Sequence, residues 1–348
     1  MNTRCGPSLP AIALQNADSP ERRHGAGLRA SNGLSRQHAG APFAALAIFL
    51  VIGCSAFAAD PPITVNSDVA QGSLQVRYKG RKLLVYAFAT NQFKPYVREL
   101  YTLRGENVTR DAPPDHPHHH GIMYAVWVNG INFWEEKGAA GVEKHIEMPL
   151  QYALVDTNGV PTAHFMEVIH WLTPTKAVAA DSREDALLRE QRSLTLTVDE
   201  TNQEVALRWE SQFEVGPFAG KVTISGPNYD GLGVRLPESF NHDATFHNSA
   251  TLPYPGPNTQ NVIPARWTSA AGLMSGHPVM LVMFGEARYF TMLDPFAYLS
   301  ATQGLDQKPL EYAEGAKFSL SYMMTVYSEH KPTPFITRRA EAWEKERK

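Results

Sequence analysis

Apolar and polar residues alternate through much of the chain beyond residue 62. Leu194-Thr195-Leu196-Thr197-Val198 does so, as do Val205, Leu207 and Trp209, with Phe213 and Val215 beyond them. Phe318, Leu320, Tyr322, Met324 and Val326 mark every second position of another run. A period of two with one apolar face predicts half-buried strands. Val279–Phe284 is apolar at every position, which predicts a central strand covered on both faces. Gly105, Pro113-Pro114, Gly159, Gly216-Pro217, Gly226-Pro227 and the stretch from Pro253 to Pro257 break these runs. Many strands separated by turn residues predict an all-β domain, a sandwich or a barrel. A helix is predicted only over 333–348. Thr333 suits its N-cap and Pro334 its first turn, and Glu341/Lys345 and Glu344/Lys348 are spaced to pair along one face.

The first forty residues mix Pro, Gly, Ser and Arg without periodicity and are set aside as leader. Ala41–Ala58 then carries no charge and ends in the small-x-small triplet Ala56-Phe57-Ala58, the layout of a secretory signal. It is shorter than the ~20 apolar residues that a spanning helix needs. Removal of residues 1–58 leaves 59–348 as a single exported domain, periplasmic or secreted. Val51-Ile52-Gly53-Cys54 offers a second cleavage reading, a lipobox that anchors the protein through acylated Cys54.

Cys5 and Cys54 are the only cysteines, so the exported domain has no disulfide and relies on its core. The whole chain carries a formal charge of −3, and loss of the leader's five arginines and two acids makes it −6. A mildly acidic chain without basic runs speaks against nucleic acid or an anionic membrane as partner. A Gly-x-Ser-x-Gly elbow, a phosphate loop and a dinucleotide fingerprint are all missing, which leaves acid–base or metal-assisted chemistry as the enzyme options.

Candidate chemistry concentrates in Thr109–Gly121, where His116, His118, His119 and His120 lie beside Asp115 and near Arg110. In an extended chain His116, His118 and His120 point one way and His119 the other. A His-x-His pair on a strand presents two imidazoles to one metal ion. A strand is predicted to follow from Gly121 to Val128. Arg235 sits on the Gly-flanked apolar run Leu232, Val234, Leu236, so its side chain takes the opposite face, where its planar fork suits a carboxylate or a pair of sugar hydroxyls. Trp127, Trp134 and Trp171 suit either the core or sugar stacking, with Trp134 nearest the histidines in sequence. Glu190 shares a strand with Leu188 and is either an inward carboxylate that needs a partner or part of a solvated face. His242, Asp243 and His247 form a second polar group.

Lys94-Pro95-Tyr96, Val108-Thr109-Arg110, the run Asp115–Gly121, and Gly130 with Phe133-Trp134-Glu135 together resemble the DUF6807 family, which also carries the label methane oxygenase PmoA. The similarity continues through Gly141–His145, Leu188–Arg192 and Gly231–Arg235, and Asp294-Pro295-Phe296 stands where the family usually has Asn-Pro-Phe. His120 occupies a position that is Arg in many members. The oxygenase label is not taken as a literal activity, because no apolar run of spanning length follows Ala59. The resemblance implies instead a β-sandwich related to the galactose-mutarotase supersandwich, and a role among sugar-degrading proteins.

On this reading the protein is an extracytoplasmic carbohydrate-active enzyme (a lyase, hydrolase or epimerase) with a small-molecule or oligosaccharide substrate. His118 or His119, with His116 beside them, is the general acid or base, and Glu190 or Glu135 is the opposing base. Arg110, Asp115, Trp134, Glu135 and Arg235 contact the substrate. His145 and Glu135 take their place from the resemblance alone. If one divalent metal ion serves the site, His116 and His118, or His118 and His119, supply two ligands. His145, and behind it Glu190 or His242, supplies the third. His120 is dispensable for a metal, since a position that accepts Arg cannot be an obligatory ligand. The alternative is a non-catalytic glycan-binding sandwich in which the histidines only donate hydrogen bonds.

Overall fold

A computed structural model describes residues 61–177, 183–254, 262–293 and 297–347. Ala41–Ala58, both cysteines, Asp294-Pro295-Phe296 and Lys348 lie outside the described residues, and with them the signal, lipobox and Asn-Pro-Phe readings. Among the described residues the strands form three sheets. One has nine strands in the order Ile63–Asp68, Ser73–Tyr78, Arg81–Ala87, Tyr96–Leu100, Ile122–Ala125, Gly231–Arg235, Tyr298–Thr302, Tyr289–Leu293 and Ile263–Pro264. The second has eight: Thr245–Asn248, Thr268–Met274, His277–Gly285, Lys317–Tyr327, Glu204–Val215, Leu188–Asp199, Pro161–Leu172 and Val142–Val155. The third is small and joins Leu310–Ala313, Lys221–Ser225, Trp127–Val128 and Ile131–Asn132.

The alternation in the sequence decides how the two large sheets meet. In Leu188–Asp199 every second side chain from Leu188 to Val198 is buried. This strand pairs antiparallel with Glu204–Val215, from Leu188 opposite Val215 to Asp199 opposite Glu204. Leu194, Leu196, Leu207 and Trp209 thereby face one way and pack in one cluster with Leu74, Val76, Leu84, Tyr86, Leu232 and Leu299 of the nine-stranded sheet. Each such side chain taken from water contributes roughly 1.5–3 kcal/mol. The result is the expected all-β sandwich, within a compact unit spanning Ala58–Lys348.

His277–Gly285 is covered on both faces, as its unbroken apolar run predicts. Val279, Leu281 and Met283 face the sandwich interior. Met280, Val282 and Phe284 meet Ile336, Ala340 and Trp343 of the C-terminal helix, Thr333–Glu346. That helix differs from expectation at its start. Pro332, not Thr333, holds the cap position, and no side chain caps the helix. Glu344 turns to Arg266 and Arg288 of the sandwich, at 2.8 and 3.1 Å. Lys348, the partner expected for Glu344 along the helix, lies outside the described residues. Among the described residues no helix is long and apolar enough to cross a membrane.

The far face of the nine-stranded sheet positions the site. Ala87, Tyr96, Met123, Ala125 and Tyr298 project there and pack with Trp134 in a cluster separate from the main core. The histidine segment connects Tyr96–Leu100 to Ile122–Ala125, two neighbouring strands of that sheet.

Candidate functional site

The histidine segment is not extended, and this overturns the predicted alternation of its side chains. It folds into two consecutive turns, with His116 N donating to Pro113 O at 2.9 Å and His119 N to His116 O at 2.9 Å. Ala112 N donates to His119 O at 3.0 Å and closes the loop. Two neighbouring prolines and Pro117 remove donors and disfavour a strand here. The loop leaves through Gly121, where a Cβ would lie 2.5 Å from Val97 O and 2.6 Å from Arg98 O, so only glycine passes this close to the adjacent strand.

The turns gather His116, His118 and His119. The ring of His119 lies 4.6 Å from that of His116 and 4.7 Å from that of His118, centroid to centroid. His119 is buried against Tyr298 at 5.0 Å and the edge of Trp134 at 5.9 Å. Burial, reinforced by the neighbouring His118, His116 and Arg235, pulls the His119 imidazole down to about 2, so it stays neutral. Burial also lowers His118, with the Glu135 carboxylate pulling the other way.

Arg235 projects to this face as its strand position predicts and is fully buried. It reaches Asp115 Oδ2 at 3.3 Å, and Asp115 also meets His116 Nδ1 at 3.1 Å. Burial would raise the Asp115 carboxyl, but the His116 hydrogen bond and the Arg235 charge outweigh it and hold it below the usual range. Arg110 lies at the rim and pairs with Glu238 at 3.1 Å. Its backbone N donates to Arg235 O at 2.8 Å, which ties the loop to the sheet. Asn132 Oδ1 accepts from the backbone N–H of Trp134 and Glu135 at 2.7 and 3.0 Å, so one short turn aims both residues at the loop. Glu135 pairs with Lys137 at 2.9 Å.

His120 turns away from the other three. Its Nδ1 meets Asp111 at 2.7 Å and its Nε2 meets Glu136 at 2.9 Å. Buried Lys94 donates to the same Glu136 oxygen at 2.7 Å and to Trp134 O at 3.0 Å. Burial would raise Glu136, yet His120 and Lys94 bring it down to about 2. Lys94, Tyr96, Asp111 and Glu136 were not singled out as site residues from sequence. Lys94 and Tyr96 stand in the Lys94-Pro95-Tyr96 motif, read there only as a mark of resemblance, while Asp111 lies in the histidine segment and Glu136 directly follows Glu135.

His145 and Glu190 stand elsewhere. His145 Nδ1 meets Glu167 at 2.6 Å, and its ring packs on Phe88. Glu190 is the inward carboxylate, not part of a solvated face. It accepts from Trp171 Nε1 at 2.9 Å, Ser211 Oγ at 2.6 Å and Arg192 at 2.7 and 2.8 Å, all within the sandwich interior. Its hydrogen-bonding capacity is committed to the core. The ligand set His116, His118 and His145 is therefore not assembled. Among the described residues no three His, Cys, Asp or Glu side chains come together as metal ligands. Trp171 is a core residue, and His242, Asp243 and His247 are exposed on Phe240–Asp243 and Thr245–Asn248.

The sequence matches the family described as "Family of unknown function (DUF6807)" over residues 73–339, which takes in the whole histidine loop. The chain belongs to DUF6807. No curated protein matches it. Solved structures similar to this DUF6807 chain include an α-galactosidase from Lactobacillus brevis, 8% identical with a TM-score of 0.41, covering 76% of this chain and 39% of that one. A galactose mutarotase related enzyme from Lactobacillus acidophilus is 8% identical with a TM-score of 0.34, covering 78% and 100%. A putative aldose 1-epimerase from Klebsiella pneumoniae is 11% identical with a TM-score of 0.33, covering 76% and 82%. The matched part spans about two fifths of that α-galactosidase's length.

Proposed function

We propose that this DUF6807 chain is a carbohydrate-active enzyme that moves protons at the His116–His119 loop. The observation that carries the reading is the convergence of a buried neutral imidazole, His119, with His118, His116, the Asp115–Arg235 pair and the aromatic wall of Trp134 and Tyr298. A sugar asks for this mixture, since its hydroxyls need paired donors and acceptors and its C–H faces need rings.

The roles divide by environment. His119, neutral throughout the working range, donates a hydrogen bond to a substrate oxygen and polarises it. His118, half-buried beside Glu135, exchanges the proton. Asp115 holds Arg235 and His116 in register, and Arg235 orients the substrate. The enzyme acts outside the cytoplasm, for which the uncharged run Ala41–Ala58 is the support.

A glycan-binding site without turnover is the second reading, favoured by the low basicity of His119. Purified protein incubated with a panel of glycosides and 3-keto glycosides, with and without divalent metal, separates the two. Turnover that vanishes in the His118→Ala/His119→Ala double variant while binding persists supports the enzyme. Binding without turnover on any substrate of the panel rejects it.

A further inference from the structure

Asp230 is a buried carboxyl that the loop chemistry does not use. It lies at the end of the turn after Gly226-Pro227, directly before the strand Gly231–Arg235. Only 1% of its surface is exposed, and neither carboxylate oxygen has a hydrogen-bond partner among the described residues. A buried carboxyl with both oxygens unmatched is rare, because each unmatched polar group costs free energy that folding must offset.

Three hydroxyls on the strand that pairs with Gly231–Arg235 share this condition, and one of them, Tyr298, faces Asp230. Tyr298, Ser300 and Thr302 are alternate residues of one strand and so project from one face of the sheet, opposite Leu299 and Ala301, which enter the main core. Tyr298 Oη, Ser300 Oγ and Thr302 Oγ1 are buried without partners among the described residues. Tyr298 lies across the neighbouring strand, where a Cβ on Gly233 would come within 1.5 Å of its hydroxyl, so this ring position exists only because residue 233 is glycine. Trp134 packs on Tyr298 at 5.5 Å and on half-buried Tyr229 at 5.1 Å, which makes the group continuous with the underside of the histidine loop.

We propose that Asp230, Tyr298, Ser300 and Thr302 form a hydrogen-bonding subsite for a neutral, hydroxyl-rich ligand, and that Asp230 takes part as a donor. The chemistry of the four groups sets the ligand class. Three hydroxyls both donate and accept, and a carboxylic acid does the same, so together they match the hydroxyls of a sugar ring and offer no fixed charge to an anion or cation. Among the described residues, the charged and titratable groups that face Asp230 are Lys94, Tyr229 and Tyr298. Burial raises the Asp230 carboxyl to about 8 despite the Lys94 charge, so the acid form persists at neutral pH. The choice of sugars as probes rests on the carbohydrate reading of the loop above, but the subsite itself does not require any turnover.

The test is calorimetric titration of the whole protein with the methyl glycosides of glucose, galactose, mannose and xylose. At least one should bind at pH 6.5, and its affinity should fall as pH rises through about 8. Asp230→Asn keeps a donor and an acceptor, so it should retain binding within a few-fold and lose the pH dependence. Asp230→Leu should weaken binding more than about thirtyfold and Tyr298→Phe about tenfold. No binding of any of the four glycosides to the wild type, or unchanged affinity in a folded Asp230→Leu variant, overturns the subsite. Binding that depends on Asp230 with no turnover on any glycoside sinks the proton-transfer reading and leaves the subsite standing.

Discussion

The imidazole of His120 lies flat on the ring of Tyr96, centroids 3.8 Å apart and planes 14° from parallel, while both its nitrogens meet carboxylates. Two carboxylate acceptors call for two N–H donors, so the ring sits there as a cation on an aromatic face. Arginine offers the same planar charge and the same stacking. His120→Arg should therefore keep the thermal midpoint within a few degrees. His120→Leu, which takes the shared cation from between Asp111 and Glu136 and leaves them only Tyr96 and Lys94, should lose about 2–4 kcal/mol in denaturant unfolding. Equal stability of the two variants would remove the charge network from the account of the loop.

Glu190 and Arg192 make a doubly hydrogen-bonded pair with essentially no exposure of either side chain. Removing one partner leaves a charge in the interior. Glu190→Leu should cost about 3–5 kcal/mol, and Arg192→Met added to it should recover a large part of that loss. Turnover per folded molecule should be unaffected in Glu190→Gln. A collapse of kcat at unchanged stability would return Glu190 to the catalytic set.

These two cases show what the chain pattern carries and what it omits. Period two marked Leu194–Val198 as a strand and placed Glu190 on a strand with Leu188, but left open which face the carboxylate takes; in the structure residues 188, 190 and 192 share the buried face. The doubly covered strand was legible in Val279–Phe284 for a different reason, because apolar residues at every position need cover on both faces; that the helix supplies one cover was not. The histidine loop was legible as chemistry but not as geometry. Its shape depends on which carbonyls the His116 and His119 N–H groups find, and turns around several prolines have no period to read. Partners such as Lys94 and Glu136 are brought together by sheet neighbours and loop closure, which no local spacing encodes.

The Asp230 carboxyl gives a pH signature in stability as well as binding. Its folded value, about 8, exceeds the ordinary 3.8, so the folded state holds the proton longer than the unfolded one. Below about 4 both states are protonated and the group contributes no difference. Between about 4 and 8 the unfolded chain ionises while the folded one does not, and stability falls with rising pH. Above about 8 the loss levels off, at up to a few kcal/mol. Asp230→Asn should match the wild type near pH 4 and exceed it at pH 8–9, read from thermal midpoints across that range. A constant offset between the two proteins at every pH would mean that Asp230 ionises alike in both states.

The C-terminal helix is held by one large side chain more than by its charges. Trp343 is 1% exposed, lies 5.9 Å from Phe284, and is roofed by the Arg347 guanidinium at 3.9 Å. Ile336 and Ala340, spaced along the same helical face, complete the contact with Met280 and Val282. Loss of the indole opens a cavity between helix and sheet that neither rigid element can close, so Trp343→Ala should cost about 3–5 kcal/mol. Glu344→Ala breaks the bidentate pair with Arg266 and the contact to Arg288, but both arginines are partly exposed. The expected cost there is only about 1 kcal/mol. Salt separates the two contributions, since 1 M NaCl shortens the screening length to about 3 Å and should erase much of the Glu344 effect while leaving the Trp343 effect intact. Denaturant unfolding of both variants at low and high salt measures this. A Glu344→Ala loss that matches Trp343→Ala and survives high salt would show that the ion pair, not the indole, docks the helix.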